Sequence, residues 1–277
     1  MDIGWFSTGR DEAACQLLKA VWESIEAGEI QAKISFVFSN REPGEAKESD
    51  LFFELVHSYN IPLICFSHRK FKTLTQTLSL QGRGPGECRA KQSHEDWRLR
   101  YDREVNKRVE KFCPDLCVLA GYMLIIGEEL CRKYNMINLH PAPPGGPSGS
   151  WQEVMRTLIR NKAKEAGAMM HLVTPKLDQG PVVSYCTFPF RGKAFDTLNQ
   201  VQGWQKDDEK TLFQLIRQHE LVREFPLIIL TLQALSRGEI SIRDGRVINA
   251  QGESIEGYNL SGKIDKAIES DPETSSV

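Results

Sequence analysis

The fold class follows from the stretch DIGWFSTGRDEAACQLLKAVWESIEAGEIQAKISFVFS, residues 2–39. Its two ends are short runs rich in aromatic and β-branched residues, which favour strands. Its middle carries apolar residues at helical spacing, with acidic residues in the first turn and Gly28 after the last. A helix pattern between two strand patterns is typical of a parallel βαβ unit with a right-handed crossover.

The same alternation continues along the chain. SDLFFELVHSYN (Ser49–Asn60) has a helix pattern, and IPLICFS (Ile61–Ser67) has a strand pattern. PDLCVLAGY (Pro114–Tyr122) is almost wholly apolar, as expected for a central strand that is covered on both faces. We therefore predict an α/β fold with a Rossmann-like, mostly parallel twisted sheet and helices on both faces.

Composition shifts suggest how the chain is organised. We predict one domain over residues 1–250, followed by a polar tail over 251–277. Residues 74–94 are rich in glycine, serine and glutamine and have no sustained periodicity, so we expect a long loop insertion there. Residues 207–235 predict a long helix with a candidate break at Pro226.

Composition and charge limit the classes of partner. The 277 residues have a formal net charge of -2 and 40% hydrophobic content, so nothing attracts the whole chain to nucleic acid or to anionic membranes. The 7 cysteines never form a Cys-x-x-Cys pair, and we interpret them as reduced core thiols without a metal. We expect a cytoplasmic protein that binds no nucleic acid, membrane or metal, with a homodimer as one possible assembly.

A pair of polar residues lies in MINLHPAPPGGPSGS (Met136–Ser150), where an apolar strand pattern meets a Pro/Gly-rich segment. On one strand, Asn138 and His140 point the same way, because residues i and i+2 share a face. An amide can hold an oxyanion, and an imidazole can move a proton near neutral pH. The alternative interpretation is a strand end capped by asparagine beside a buried histidine, and the tripeptide alone favours that alternative.

A carboxylate is the second candidate. HLVTPKLDQGPVV (His171–Val183) places Asp178 in a glycine-bounded loop between two strand patterns. A carboxylate beside a histidine raises the pKa of the imidazole and orients it, as acid/base catalysis requires. The alternative is a turn residue that hydrogen-bonds to its own backbone.

These segments resemble a known family. In this order and at comparable spacing, the sequence is similar to the folate-dependent formyltransferases, and most similar to the phosphoribosylglycinamide (GAR) formyltransferases. The resemblance covers residues 1–248 and rests on SFVFSN, PDLCVLAGYMLII, INLHP and HLVTPKLDQGPVV. The combination of Asn-x-His-Pro with a later Leu-Asp-x-Gly-Pro is specific, whereas each motif alone is weak.

The resemblance implies an activity and a catalytic set. It implies transfer of the formyl group of 10-formyltetrahydrofolate to an amine, most simply GAR in de novo purine biosynthesis. Asn138, His140 and Asp178 match the catalytic residues of the family. In this interpretation Asn138 and a protonated His140 stabilise the oxyanion, while Asp178 supports the imidazolium and helps proton transfer.

The resemblance also implies a binding slot for the pterin ring of the folate, formed by two apolar segments that follow strands. Backbone groups and apolar side chains suit a flat heteroaromatic ring. The alternative is that these residues are core packing only. The matching residues are Met123, Leu124, Ile125 and Ile126 in the first segment, and Val173, Thr174 and Leu177 in the second.

The sequence departs from the family pattern where the acceptor binds. In place of a Gly-x-Gly-Ser-Asn phosphate loop stands FSTGRDE (residues 6–12), in which Gly9 and Arg10 are the candidate substrate contacts and the two acids oppose a phosphate. Residues 142–147 replace the usual loop after the histidine, and residues 190–210 are an extension. Glu220 lies near an acceptor-contacting glutamate of the family, although a solvated helix charge is the simpler expectation.

Three other functions stay open, and two more are disfavoured. An amino-sugar N-formyltransferase or a formyltetrahydrofolate hydrolase needs the same polar residues, and a non-catalytic folate-binding relative needs only the pterin slot. A transfer-RNA formyltransferase is disfavoured because the chain is not basic. A NAD-dependent dehydrogenase is weaker still, because no Gly-x-Gly-x-x-Gly follows the first strand.

Overall fold

Two compact units make up the protein in its computed structural model. The structure describes residues 1–81, 90–190 and 206–270, leaving aside the side chains within 75–81, 90–96 and 206–209. The first unit comprises Met1–Glu26, Gln31–Met136 and Val173–Pro175, and the second Ala27–Ile30, Ile137–Leu172 and Lys176–Val277. None of the helices in the described ranges combines the length and the apolar character that crossing a bilayer requires.

The first unit alternates strands and helices, as the sequence predicts. Its strands are β1 (Asp2–Phe6), β2 (Lys33–Ser39), β3 (Leu63–Cys65) and β4 (Leu116–Leu119). Its helices are α1 (Glu12–Glu26), α2 (Lys47–Ser58), α3 (His68–Gln81), α4 (Ala90–Val109) and α5 (Glu128–Lys133), with a short 3₁₀ turn at Glu110–Phe112.

The strands of the first unit lie in the order β3-β2-β1-β4, and all neighbours are parallel. Strand β4 is buried along its whole length, as expected for a parallel strand covered on both faces. Aromatic rings fill the core: the Phe6 ring centroid lies 5.8 Å from that of Phe36, 5.2 Å from that of Phe38 and 5.8 Å from that of Tyr122. The predicted α/β class and parallel sheet are confirmed.

The second unit carries the remaining strands and helices. Its strands are β5 (Met136–His140, whose first residue belongs to the first unit), β6 (Glu165–Leu172), β7 (Val182–Pro189), β8 (Ile240–Arg243), β9 (Arg246–Asn249), β10 (Ser254–Ile255) and β11 (Tyr258–Asn259). Its helices are α6 (Trp151–Arg160), α7 (Lys206–Ser236) and α8 (Ser261–Ser270).

Strand pairing in the second unit is mixed. Strands β5, β6 and β7 are antiparallel neighbours, β11 is parallel to β7, and β8, β9 and β10 form a separate antiparallel sheet. The β6–β7 register shifts between Met170 and His171. A bulge of this kind bends a strand and redirects side chains, and here it falls beside polar residues at the end of β6.

The structure differs from the predicted organisation in two segments. Residues 74–81 and 90–94, expected in a loop, belong to the helices α3 and α4, and residues 82–89 lie outside the described part of the chain. The expected polar tail over 251–277 contains β10, β11 and α8 as far as residue 270. Both segments are polar helices or very short strands, for which hydrophobic periodicity is a weak signal.

The single domain over residues 1–250 stays a prediction beside these two compact units. The long helix of the C-terminal half is continuous from Lys206 to Ser236, with Pro226 inside it, so the candidate break is absent. Proline removes one backbone donor from a helix, and the surrounding packing of α7 compensates for that loss. Leu227 and Ile228, which follow the proline, are fully buried.

The close approach of β6 and β7 at Gly167 can be tested by substitution. A Cβ atom at this position would overlap the backbone carbonyl oxygen of Cys186 on β7. We expect Gly167→Ala to lower the free energy of unfolding by about 2 kcal/mol or more, because backbone atoms on both sides cannot move apart cheaply. Urea unfolding followed by circular dichroism measures the change.

Gly262 in α8 provides the matched control, because a Cβ atom there has no other atom within 4 Å. Gly262→Ala is expected to be neutral or to stabilise by up to about 1 kcal/mol, since alanine favours helix. Equal unfolding midpoints for the two variants would contradict the described β6–β7 register.

Candidate active site

Asn138 and His171 face each other across two antiparallel strands. They are directly paired residues in the β5–β6 register, and the Asn138 Nδ2 atom lies 3.2 Å from the His171 Nε2 atom. The His171 Nδ1 atom lies 2.9 Å from the Leu172 carbonyl oxygen, which can only accept a hydrogen bond. In neutral His171 the proton is therefore on Nδ1, and Nε2 accepts from the amide of Asn138, which fixes the orientation of that amide.

His140 is held from two sides. It ends β5, is 2% exposed, and its Nε2 atom donates a hydrogen bond to the carbonyl oxygen of Pro147 at 2.9 Å. Its Nδ1 atom faces the carboxylate of Asp178, with 3.6 Å between Nδ1 and Oδ2. In the neutral imidazole the proton is on Nε2, so the lone pair of Nδ1 points toward Asp178.

Asp178 lies between the two imidazoles. Its Oδ1 atom is 3.6 Å from the Nε2 atom of His171, and its Oδ2 atom accepts a hydrogen bond from the Gly149 N–H at 3.0 Å. Its φ of +53° is left-handed, a conformation that aspartate tolerates better than most residues. The structure therefore brings together the three predicted catalytic residues, Asn138, His140 and Asp178.

A helix cap fixes the Gly149 donor. Ser150 caps α6 by accepting a hydrogen bond from the Glu153 N–H, and the Glu153 carboxylate accepts from the Ser150 N–H at 2.8 Å. This reciprocal capping box holds the chain at the start of α6. Gly149 has a φ of +115°, and a Cβ atom there would lie 2.7 Å from Glu153 Oε2, so the turn into the cap requires glycine.

Burial controls the protonation of the cluster. Burial lowers the pKa of His140 below its ordinary value, although the Pro147 carbonyl and the Asp178 carboxylate act in the opposite direction. The carboxylate acts on the histidine in the predicted direction, but burial outweighs it. Burial raises the pKa of Asp178, but the His171 imidazole, the Gly149 N–H and His140 together lower it below its ordinary value.

The cluster can accept a proton in a defined place. At neutral pH His140 is neutral and Asp178 is ionised, so a proton that reaches Nδ1 of His140 forms an imidazolium facing the carboxylate. The second N–H of the Asn138 amide is not engaged by His171. Neutral His140 can accept a proton, Asp178 can balance the charge that results, and the oriented amide of Asn138 can donate a hydrogen bond. This arrangement suits a reaction in which an oxygen gains negative charge and a proton is released.

His171 is a site residue that the sequence interpretation missed. In the sequence, His171 is the first residue of the segment that carries Asp178, and no role was predicted for it. A signal existed, because His171 is a polar residue at the end of an apolar strand pattern. Its pairing with Asn138 depends on the antiparallel register of β5 and β6, which the sequence does not specify.

Most of the predicted pterin-binding residues belong to the first unit. Ile126 is buried in the aromatic core of the first unit, with Leu124 and Val173 packed against the same core. Met123 is 48% exposed. The remaining residues, Ile125 and Thr174, belong to the first unit, and Leu177, 47% exposed, belongs to the second.

The predicted phosphate contacts lie after β1. Gly9 has a φ of +60°, and a Cβ atom there would lie 2.9 Å from the Phe52 side chain, so glycine is required at this turn. The Gly9 N–H donates to Ser7 Oγ at 3.2 Å. Arg10 lies 3.6 Å from the carboxylate of Asp11, so its charge is partly balanced by the acid expected to oppose a phosphate.

Glu220 lies in α7 and is fully buried. Its Oε2 atom accepts a hydrogen bond from Arg217 at 2.7 Å, and the same guanidinium donates to Glu224 at 2.6 Å. Burial and the nearby Glu224 carboxylate raise the pKa of Glu220 well above its ordinary value. The expectation of a solvated helix charge is wrong, and contact of Glu220 with an acceptor stays a prediction.

Comparison with known proteins identifies the family of this chain. Residues 13–214 match the family described as formyl transferase. The chain belongs to that family. Among curated formyl transferases and their relatives, it is 33% identical over 106 residues to phosphoribosylglycinamide formyltransferase of Escherichia coli (strain K12), covering 37% of this chain and 49% of that protein.

Two further similarities concern this formyl transferase. It is 25% identical over 158 residues to formyltetrahydrofolate deformylase of Haemophilus influenzae, covering 56% of this chain and 44% of that protein. Its fold matches the solved phosphoribosylglycinamide formyltransferase of Coxiella burnetii with a TM-score of 0.65 at 17% identity, over 94% of this chain and 98% of that one. The chain spans about half the length of the first curated relatives it matches.

The charge of Asp178 provides a test of the cluster in this formyl transferase. We expect Asp178→Asn to lower the pKa of His140 further, because the carboxylate favours the imidazolium and the amide does not. Asparagine also tolerates a left-handed φ and can still accept from Gly149. Histidine ¹⁵N NMR across a pH titration measures the pKa.

Asp244→Asn is the matched control, because Asp244 also has a left-handed φ, +50°, and lies in the turn between β8 and β9. It should leave the titration of His140 unchanged. A His140 pKa that rises, or stays constant, in Asp178→Asn would show that the carboxylate does not act on the imidazole.

Proposed function

We propose that this protein transfers the formyl group of 10-formyltetrahydrofolate to an amine, and that the amine is phosphoribosylglycinamide, a step of de novo purine biosynthesis. The observation that supports this most is the buried cluster of Asn138, His140, His171 and Asp178 in a chain of the formyl transferase family. A protein that only binds folate has no need of an oriented amide beside a neutral base and an ionised carboxylate.

The first step places negative charge on oxygen. An unprotonated amine attacks the formyl carbon, and the carbonyl oxygen gains the electron pair of the broken π bond. Asn138 is suited to donate a hydrogen bond to that oxygen, because His171 holds its amide in one orientation. A donor that is already oriented costs no reorganisation when the charge develops, and such donors contribute about 3 kcal/mol to catalysis.

The second step moves a proton. The attacking nitrogen becomes cationic and must lose a proton before the C–N bond to the departing group breaks. Nδ1 of His140 is the proposed acceptor, because its lone pair is free while Nε2 donates to Pro147. Asp178 stabilises the resulting imidazolium across 3.6 Å, and the proton then passes to the departing nitrogen.

The folate would supply the formyl group and the departing nitrogen. Met123, Leu124, Ile125 and Ile126 are proposed to hold its ring, together with Val173, Thr174 and Leu177. The exposed part of Met123 and the packing of Leu124 and Val173 against one core fit the faces of a flat heteroaromatic ring. Backbone groups of the same segment would bind its polar edge.

Three residues are proposed to bind the acceptor. Gly9 and Arg10 are proposed to hold the phosphate of phosphoribosylglycinamide, and Glu220 its amine-bearing end. Arg10 is close to Asp11, and Glu220 is close to Arg217, so both would exchange an internal partner for the substrate. This observation favours including acceptors without a phosphate, such as amino sugars, and water among the candidates.

An assay with separate acceptors tests the proposal. Purified protein is mixed with 10-formyltetrahydrofolate and with phosphoribosylglycinamide, several amino sugars or no acceptor, and release of tetrahydrofolate is followed. We expect release that depends on phosphoribosylglycinamide. Dependence on an amino sugar would replace the acceptor, release without acceptor would indicate a hydrolase, and absence of release in every mixture would contradict catalysis.

Variants of the cluster test the mechanism. Asn138→Ala and Asp178→Asn should each lower kcat by about a hundredfold or more, because each removes an interaction that strengthens in the transition state. Steady-state kinetics measure kcat, and circular dichroism confirms the fold.

Asn161→Ala and Asp244→Asn are matched controls from the same unit. Asn161 follows α6, and Asp244 lies in the β8–β9 turn. Both controls should keep kcat within about twofold, as expected for surface substitutions. A kcat close to that of the wild type in both cluster variants would exclude the mechanism.

A further inference from the structure

The segment Tyr122–Ile126, which joins β4 to α5, is held at its two ends by side chains. At its front the Met123 N–H donates to Thr8 Oγ1 at 3.0 Å. At its back the N–H of the next residue, Gly127, donates to Asp102 Oδ2 at 2.6 Å. Within the described part of the chain, the backbone groups of Leu124 and Ile125 take part in no hydrogen bond, so the path of the segment depends on these two anchors.

Asp102 is a buried carboxylate that the proposed mechanism does not use. It lies in α4 and is 3% exposed. Burial raises its pKa to about 6, while the Gly127 N–H acts to lower it, so the group is mostly ionised at pH 7. A hydrogen bond to a carboxylate is about twice as strong as one between neutral groups. Burying this charge costs free energy, and the hydrogen bond to Gly127 offsets part of that cost.

The Asp102 carboxylate lies against the Cα atom of Gly127, where another residue would carry its Cβ atom. A Cβ atom at this position would lie 2.5 Å from Asp102 Oδ2. The backbone itself makes no demand for glycine, because φ is -79° and ψ is 167°, an extended conformation that any residue adopts. The side chain of Asp102 therefore occupies the space of a Cβ atom at 127, so any larger residue there has to displace the carboxylate.

We propose that Asp102 is a positioning residue for folate binding, which acts by holding Gly127 and so fixing the backbone of Tyr122–Ile126. The inference rests on the proposed function, because it assigns this segment to the pterin ring. A ring recognised by backbone groups binds tightly only when those groups are already oriented. Asp102 provides that orientation from α4 without touching the ligand itself.

Steady-state kinetics of the full chain test the role. Asp102→Ala should raise the KM for 10-formyltetrahydrofolate about tenfold, while kcat and the KM for the acceptor stay within about threefold. Asp102→Asn keeps an oxygen that can accept from Gly127, so its folate KM should stay within about threefold of the wild type. Rescue by this variant separates positioning from a general loss of packing.

Asp115→Ala is the matched control. Asp115 lies in the same unit, just before β4, and its Oδ2 atom accepts a hydrogen bond from the Asp2 N–H at 2.7 Å. The variant therefore removes the same kind of bond at the opposite end of β4 from the Tyr122–Ile126 segment. Its folate KM should equal that of the wild type.

A double-mutant cycle tests the contact itself. Gly127→Ala should raise the folate KM about fivefold in the wild type, because its methyl group displaces the carboxylate, and should add nothing in the Asp102→Ala background. Additive effects would show that the two positions act separately. Should Asp102→Ala not fold, an unchanged folate KM in folded Gly127→Ala overturns the proposal.

Amide hydrogen exchange without substrate separates this inference from the proposed function. Asp102→Ala should exchange faster than the wild type at Gly127 and over Leu124–Ile126, and Asp115→Ala should not. If the wild type transfers no formyl group, the function fails while exchange still reports on the anchor. Unchanged exchange in Asp102→Ala, or equal losses in kcat and in both KM values, would overturn the positioning role.

Discussion

The buried carboxylate of Asp178 is the interaction on which the catalytic cluster depends. A charge removed from water must be compensated by hydrogen bonds and opposite charge, or the group becomes neutral. Here the hydrogen bond comes from the N–H of Gly149 before α6, and the His140 ring on β5 and the His171 ring on β6 each lie 3.6 Å away, where a protonated imidazole supplies the opposite charge. Strand pairing, loop path and helix start therefore all converge on one carboxylate.

Much of the architecture could be predicted from sequence, because parallel strands covered on both faces carry an unmistakable apolar signal. The same holds for Asn138 and His140, which share a face by the period of a strand alone. His171 could not be found that way, since its place opposite Asn138 depends on the register of two antiparallel strands. The protonation of His140 also escaped prediction, because burial outweighs the carboxylate and burial is a property of the folded chain.

The full lengths of the helices α3 and α4 could not be predicted from the sequence. Their facing ends are rich in serine, glutamine and charged residues, so they lack the apolar stripe by which a helix is recognised. Helix α4 nevertheless supplies Tyr101, Val105 and Val109 to the aromatic core, together with Asp102 next to it. Tertiary packing determines the length of such a helix, and local composition alone does not predict it.

The loop between β5 and α6 is held at both ends. His140 ends one strand by bonding to Pro147, and the Ser150–Glu153 capping box anchors the other end. Between these two points the loop is also packed, because Ala142 is fully buried and a Cβ atom at Gly146 would lie 2.8 Å from the Pro143 carbonyl oxygen. The loop therefore acts as a rigid spacer, which sets the distance between the strand that carries His140 and the Gly149 N–H that binds Asp178.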